Sequence, residues 1–153
     1  MKPNISEAFS VSVKEVLTNL CQCELQVGKS KMRNISQTLD EITILIEVTG
    51  KLRGQILYIM DQKFALELAS MMIGIPISEM DELGMSAISE IGNIITGSSM
   101  TKLSELGFYC ETTIPSVILG KDEPLHVIES IGLTIPINID IGNFMIGICV
   151  REY

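Results

Sequence analysis

Residues 41–60 read "EITILIEVTGKLRGQILYIM". Two apolar, β-branched-rich runs abut here, with only Gly50 and Lys51 between them. Runs of that composition favour extended chain, and a glycine between them permits a tight reversal. The stretch therefore predicts a long antiparallel hairpin turning near Gly50–Lys51. Such a hairpin commits the chain to a sheet whose apolar face needs other elements to cover it.

The covering elements are legible on both sides of the hairpin. Residues 6–20 space Phe9, Val13, Val16, Leu17 and Leu20 at helical intervals, with Ser6 as the expected N-cap. Residues 23–34 suit a polar strand, on which Lys29, Lys31 and Arg33 alternate onto a solvent face. "DQKFALELASMMIG" reads as a helix capped by Asp61 and ended by Gly74, and Pro76 bars its continuation. A long helix follows, from about Glu79 to Leu106. Ser78 and Asp81 form a capping-box pattern at its start, and Gly107 ends it. The remainder is strand-like: "FYCETT", "SVILG", "LHVIESIG", "LTIPINIDIG" and "NFMIGICVREY".

This order predicts the α+β class, with helices packed on a largely antiparallel β-sheet in a single domain spanning 1–153. Residues 6–60 and 80–150 echo one another, each running helix, strands, closing hairpin. "EVTGKLRGQILYIM" and "INIDIGNFMIGICV" share a texture. A pseudo-twofold internal repeat is expected.

Charge and composition narrow the function classes. The net charge is −8, which argues against nucleic acid as a partner. The longest apolar runs fall short of the roughly 20 residues that span a bilayer, so membrane insertion is not expected. "MKPNISEAFSVSVKEV" breaks its apolar positions with Glu7, Lys14 and Glu15 and lacks the core of a signal peptide, so the cytoplasm is the expected compartment. Cys21, Cys23, Cys110, Cys149 and the single His126 show no zinc spacing; the thiols read as small hydrophobes in a reducing compartment. From Phe64 to Thr101 there is no Lys or Arg, while Glu67, Glu79, Asp81, Glu82 and Glu90 are present. Ordinary solubility accounts for that asymmetry, and so does a partner with a basic patch.

Within the long helix, "SAISEIGNIITG" (86–97) sorts onto two faces. At about 100° per residue, Ala87, Ile88, Ile91, Ile94 and Ile95 form an apolar stripe between roughly 80° and 200° from Ser86. Glu90, Asn93 and Gly97 lie within about 40° of Ser86, away from that stripe, with Gly92 also nearby. The Glu-to-Asn spacing of three puts both side chains on one ridge. No His or Cys stands beside them, so triad-type nucleophilic catalysis is not indicated. A lone carboxylate is a poor metal site. An amide, however, donates and accepts at once and can hold and aim a water. A neighbouring carboxylate can grip a partner's lysine. A glycine on that ridge allows another backbone to come close. By composition alone, a Glu and an Asn on a helix face most often simply meet solvent.

With these residues in view, "DELGMSAISEIGNIITGSSMTKLSELG" resembles the signature helix of the CheC/CheX/FliY family of chemotaxis phosphatases. The family motif is Asp or Ser, three residues, Glu, two residues, Asn; Ser86, Glu90 and Asn93 stand in that frame. "TIPSVILG" resembles the strand that follows this helix, and the order of elements agrees over most of the chain. The resemblance implies an aspartyl-phosphate phosphatase acting on the phosphorylated response regulator CheY or a relative of it. It implies that Glu90 bridges to the regulator's active-site lysine and that Asn93 enters its site to orient the attacking water. Ser86 and Gly97 would lie against the same partner. The aspartyl phosphate and Mg²⁺ would both belong to the regulator, so no cofactor is expected on this chain. A homodimer formed by strand association is also implied. CheC-like members carry two motif copies. Here the first helix offers Val11, Glu15 and Thr18 in the matching frame, with Asn19 one place late, so a single CheX-like site is expected. A rival reading keeps the face but not the hydrolysis: a module that binds a regulator or an oligomer partner. A third buries residues 86–97 at a structural dimer contact.

Overall fold

A computed structural model of the chain describes residues 2–38, 40–122 and 131–153. Its elements are α1 (Lys2–Cys21), β1 (Gln26–Val27), β2 (Lys31–Asn34), β3 (Glu41–Gly50), β4 (Leu52–Asp61), α2 (Gln62–Ile73), α3 (Glu82–Glu105), β5 (Cys110–Thr112), β6 (Ser116–Leu119), β7 (Ile131–Ile139) and β8 (Gly142–Glu152). The predicted hairpin is β3–β4, with Glu41 opposite Asp61 and Val48 opposite Gly54. The first helix begins at Lys2, four residues before the expected cap at Ser6. The polar stretch 23–34 yields two short strands rather than one. His126 and most of "LHVIESIG" lie outside the described residues.

Every strand pairing described is antiparallel, and the sheet runs β1–β7–β8–β4–β3–β5, with β2 also on β7 and β6 also on β3. This topology is a pseudo-twofold. The units α1-β1-β2-β3-β4 and α3-β5-β6-β7-β8 exchange about the central β4–β8 pair. Each unit lends its two short strands to the other unit's long hairpin. Helix α2 has no counterpart among the described residues and packs against elements of both halves.

The helices cover one face of the sheet. Ile44, Ile46, Ile56, Tyr58, Ile135 and Ile146 point into this core, where they meet Phe9, Val13 and Leu17 of α1, Phe64 and Leu68 of α2, and Ile88 and Ile95 of α3. A second, smaller cluster of Ile35, Leu57, Ile59 and Cys149 lies apart from the main core. The segment "ILYIM" in β4 is therefore buried continuously, without the alternation of a one-sided strand.

Helix α2 is bounded as predicted. The Asp61 carboxylate accepts a bond from the Phe64 amide at 2.8 Å, and Gly74 closes the helix in the left-handed conformation at φ 89°.

Candidate active site

Helix α3 starts one turn later than the capping-box pattern suggested. Its N-cap is Asp81, not Ser78: the Asp81 Oδ1 atom accepts from the Gly84 amide at 2.8 Å. The carboxylate serves the role a serine hydroxyl would, and with Glu82 it adds negative charge at the positive end of the helix dipole.

The inward face comprises Gly84, Ile88, Ile91, Gly92, Ile95, Thr96, Ser99 and Leu103. On the same wheel this stripe centres about 210° from Ser86, against about 140° for the expected one. Two expectations change with it. Ile94 is on the surface, 43 % exposed, rather than in the core. Gly92 faces inward rather than towards the exposed ridge.

The cause is two inward contacts that apolar periodicity does not count. A Cβ on Gly92 would come within 2.9 Å of Ile44 Cγ2, so the absence of a side chain lets the helix backbone lie close to the sheet. One turn on, the Thr96 hydroxyl is 2.6 Å from the Tyr58 hydroxyl, with both residues buried. Burial holds the Tyr58 phenol well above its ordinary pKa, and the Thr96 bond opposes that only in part. The phenol therefore stays protonated and hydrogen-bonded at neutral pH. Together the two contacts fix the height and rotation of α3. The sequence reading missed Tyr58, Gly92 and Thr96 as residues that orient the site. The available signal was a small residue and a hydroxyl one turn apart in an otherwise apolar helix.

The rotation turns the motif outward. Ser86, Glu90, Asn93 and Gly97 are all exposed, about 160° from the centre of the buried stripe. Among the described residues, the side chains of Ser86, Glu90 and Asn93 make no hydrogen bond or ion pair. A Cβ on Gly97 would meet nothing within 4 Å. The fold thus leaves a carboxylate and an amide one turn apart, both without internal partners, beside a bare stretch of backbone. Such a face can accept a cation, hold a water and admit another surface closely.

The matching face of α1 is different. Val11, Glu15 and Thr18 are exposed there too, but Glu15 lies 3.5 Å from Lys102 of α3. Its carboxylate is engaged within the molecule, and Thr18 supplies no amide.

Other candidate groups fall outside this site. The four cysteines are free thiols, and burial, then the neighbouring Cys23, push the Cys21 pKa up to about 11. Among the described residues, no three His, Cys, Asp or Glu side chains come together as a metal-binding group. Lys31 and Arg33 are exposed on β2 at the sheet edge. No described helix is long and apolar enough to cross a membrane.

Comparison with known proteins places this geometry in context. Residues 42–145 match the family model described as chemotaxis phosphatase CheX. The CheY-P phosphatase CheX of Thermotoga maritima is 32 % identical over 123 residues, covering 80 % of this chain and 79 % of that protein. The crystal structure of chemotaxis protein CheX from Vibrio vulnificus superposes with a TM-score of 0.84 at 26 % identity, over 96 % of this chain and 99 % of that one. The CheX–CheY–BeF3–Mg²⁺ complex from Borrelia burgdorferi contains a similar chain, with a TM-score of 0.80 at 25 % identity, over 95 % of this chain and 97 % of its counterpart. The chain belongs to the CheX family of chemotaxis phosphatases.

Proposed function

We propose that this protein hydrolyses the aspartyl phosphate of a CheY-like response regulator in bacterial chemotaxis, using the outer face of α3. The observation that carries the reading is the exposed Glu90–Asn93 pair, without internal partners, on the helix that the family resemblance singles out. Glu90 grips the regulator's active-site lysine and sets the docking. Asn93 enters the regulator's site and holds a water in line with the phosphorus. The water oxygen bonds to phosphorus as the bond to the aspartyl oxygen breaks. The products are the regulator's free carboxylate and inorganic phosphate. Mg²⁺ is held by the regulator, as the make-up of the Borrelia burgdorferi complex supports. Positioning is most of what phosphoryl transfer asks of a catalyst, so an amide without a nucleophile is sufficient machinery. Ser86 and Gly97 complete the contact face, and the Lys- and Arg-free stretch from Phe64 to Thr101 suits a lysine-bearing partner.

The protein works in the cytoplasm, where such regulators act, and pairs as a homodimer through the β5/β6 edge of its sheet. The opposite edge carries Lys31 and Arg33 on β2, charges that discourage strand addition, whereas β6 reads Ser-Val-Ile-Leu. Light scattering of Ser116→Lys should then report a monomer; an unchanged dimer would rule that edge out.

The test of function is phosphate loss from a phosphorylated regulator with and without the protein. Wild type should accelerate it. Asn93→Ala should remove most of the acceleration, at least about a hundredfold by analogy with other positioning groups, while leaving binding intact. Glu90→Ala should weaken docking. Unchanged decay with wild type across the regulators of the source organism would overturn the phosphatase reading.

A further inference from the structure

An exposed isoleucine on a helix whose other isoleucines are buried calls for a reason. Ile94 is 43 % exposed and Leu83, on the same helix, is 56 % exposed. The helix itself places both beside the motif. Ile94 lies four residues after Glu90, Ala87 three before it and Leu83 seven before it, so all three flank one side of the carboxylate. On the wheel they stand at about 60–100° from Ser86, directly next to the Ser86–Glu90–Asn93–Gly97 line. From Leu83 to Ile94 the strip runs about 16 Å along the axis.

The internal repeat supplies a comparison within one molecule. In the frame that matches Ser86 to Val11, the position of Ile94 is taken on α1 by Asn19, which is exposed. The position of Leu83 is taken by Ala8, which is buried. At these two positions exposed apolar side chains occur only on the helix whose carboxylate and amide are free; α1 exposes Val11 instead, at the Ser86 position. A polar line meant only for solvent needs no apolar neighbour. A line that docks a lysine gains from one, because apolar contact beside the ion pair excludes water and strengthens it.

The geometry points to exposed Leu83 and Ile94, with half-buried Ala87 between them, as an apolar docking strip for the response regulator, taking an apolar patch beside the regulator's phosphoacceptor pocket. This inference rests on the reading of α3 as the regulator-binding face. It assigns affinity to the strip and chemistry to Asn93. A contact made equally before and during the reaction changes the half-saturating concentration and not the rate at saturation.

The experiment is a titration of phosphorylated regulator decay with wild type, Ile94→Ala, Ile94→Asn and Leu83→Ala. Ile131→Ala, an exposed apolar residue at the start of β7, serves as the control. Alanine is the better helix former, so Ile94→Ala should fold, and circular dichroism checks this. Ile94→Ala should raise the half-saturating concentration about fivefold and Ile94→Asn about tenfold, with the saturated rate within twofold of wild type. A half-saturating concentration unchanged in both Ile94 variants overturns the strip, as does a loss confined to the saturated rate. If wild type itself fails to accelerate decay, the phosphatase reading falls separately. Binding of the unphosphorylated regulator activated with beryllofluoride and Mg²⁺ then decides the strip: weakened binding by the Ile94 variants upholds it and equal binding rejects it.

Discussion

Gly97 separates stability from function at the scale of one residue. A helix-interior glycine costs up to about 1 kcal/mol relative to alanine. Among the described residues nothing needs it, because a Cβ there would meet none of their atoms within 4 Å and its backbone is helical. Gly97→Ala should therefore raise the melting temperature by a few degrees while weakening action on the regulator. Thermal melts and the phosphate-loss assay check the two halves independently; full activity in the stabilised variant would mean that no partner backbone approaches there. Cys21 gives a second residue-scale expectation. Burial, then Cys23, raise its pKa from 9.0 to about 11. The thiol favours the protonated form in the folded state. Its stability contribution is complete below pH 9 and is lost as pH rises towards 11. Alkylation of Cys21 should accordingly be slow at pH 8, rise about tenfold per pH unit above it and level off only near pH 11, as peptide mapping of labelled protein would show.

At the scale of the element, α3 is oriented by its inner face. Thr96→Val should cost about 1–3 kcal/mol, because it leaves the buried Tyr58 hydroxyl without its partner. Thr96→Ser keeps the hydroxyl and should recover much of that. Tyr58→Phe combined with Thr96→Val removes both polar groups and should be less costly than the sum of the single changes. Urea unfolding of the four variants is the measurement, and strict additivity would show that the bond adds nothing. This inner face also marks where sequence reading reached its limit. The motif residues read as an exposed ridge because all four fall within about 40° on the helical wheel, away from the apolar stripe. The helix rotation came out about 70° away because Gly92, Thr96 and Ser99 carry no apolar weight, yet all three are buried. Apolar periodicity measures burial of large side chains. It does not register close backbone approach or a satisfied hydroxyl pair. The β3–β4 hairpin and the caps of α2 were legible because their causes are local: β-branched runs, Asp61 and Gly74. The cap of α3 slipped from Ser78 to Asp81 because both residues can do the same work.

At the scale of the whole molecule, the pseudo-twofold asks why only the α3 half carries the proposed site. The faint echo between residues 6–60 and 80–150 corresponds to a real exchange of strands about β4–β8. Its meaning depended on partners distant in sequence, which no local pattern reveals. Two differences set the α1 face apart from the proposed site. Thr18 stands where Asn93 stands, and Glu15 is drawn towards Lys102 at 3.5 Å. A third difference lies beneath the helix, where buried Leu17 takes the place of Gly92. Restoring the amide alone should therefore not restore activity. In an Asn93→Ala background, Thr18→Asn should remain inactive, because Lys102 of the same chain still competes for the neighbouring Glu15 carboxylate. Adding Lys102→Met frees Glu15 and should return measurable acceleration of phosphate loss. The exposed ion pair contributes no more than about 1 kcal/mol, so the triple variant should still fold. Activity from Thr18→Asn without the Lys102 change would show that the ion pair does not restrain Glu15. No activity from the folded triple variant would mean that differences besides the amide and the ion pair, such as Leu17 in place of Gly92, keep the α1 face inactive.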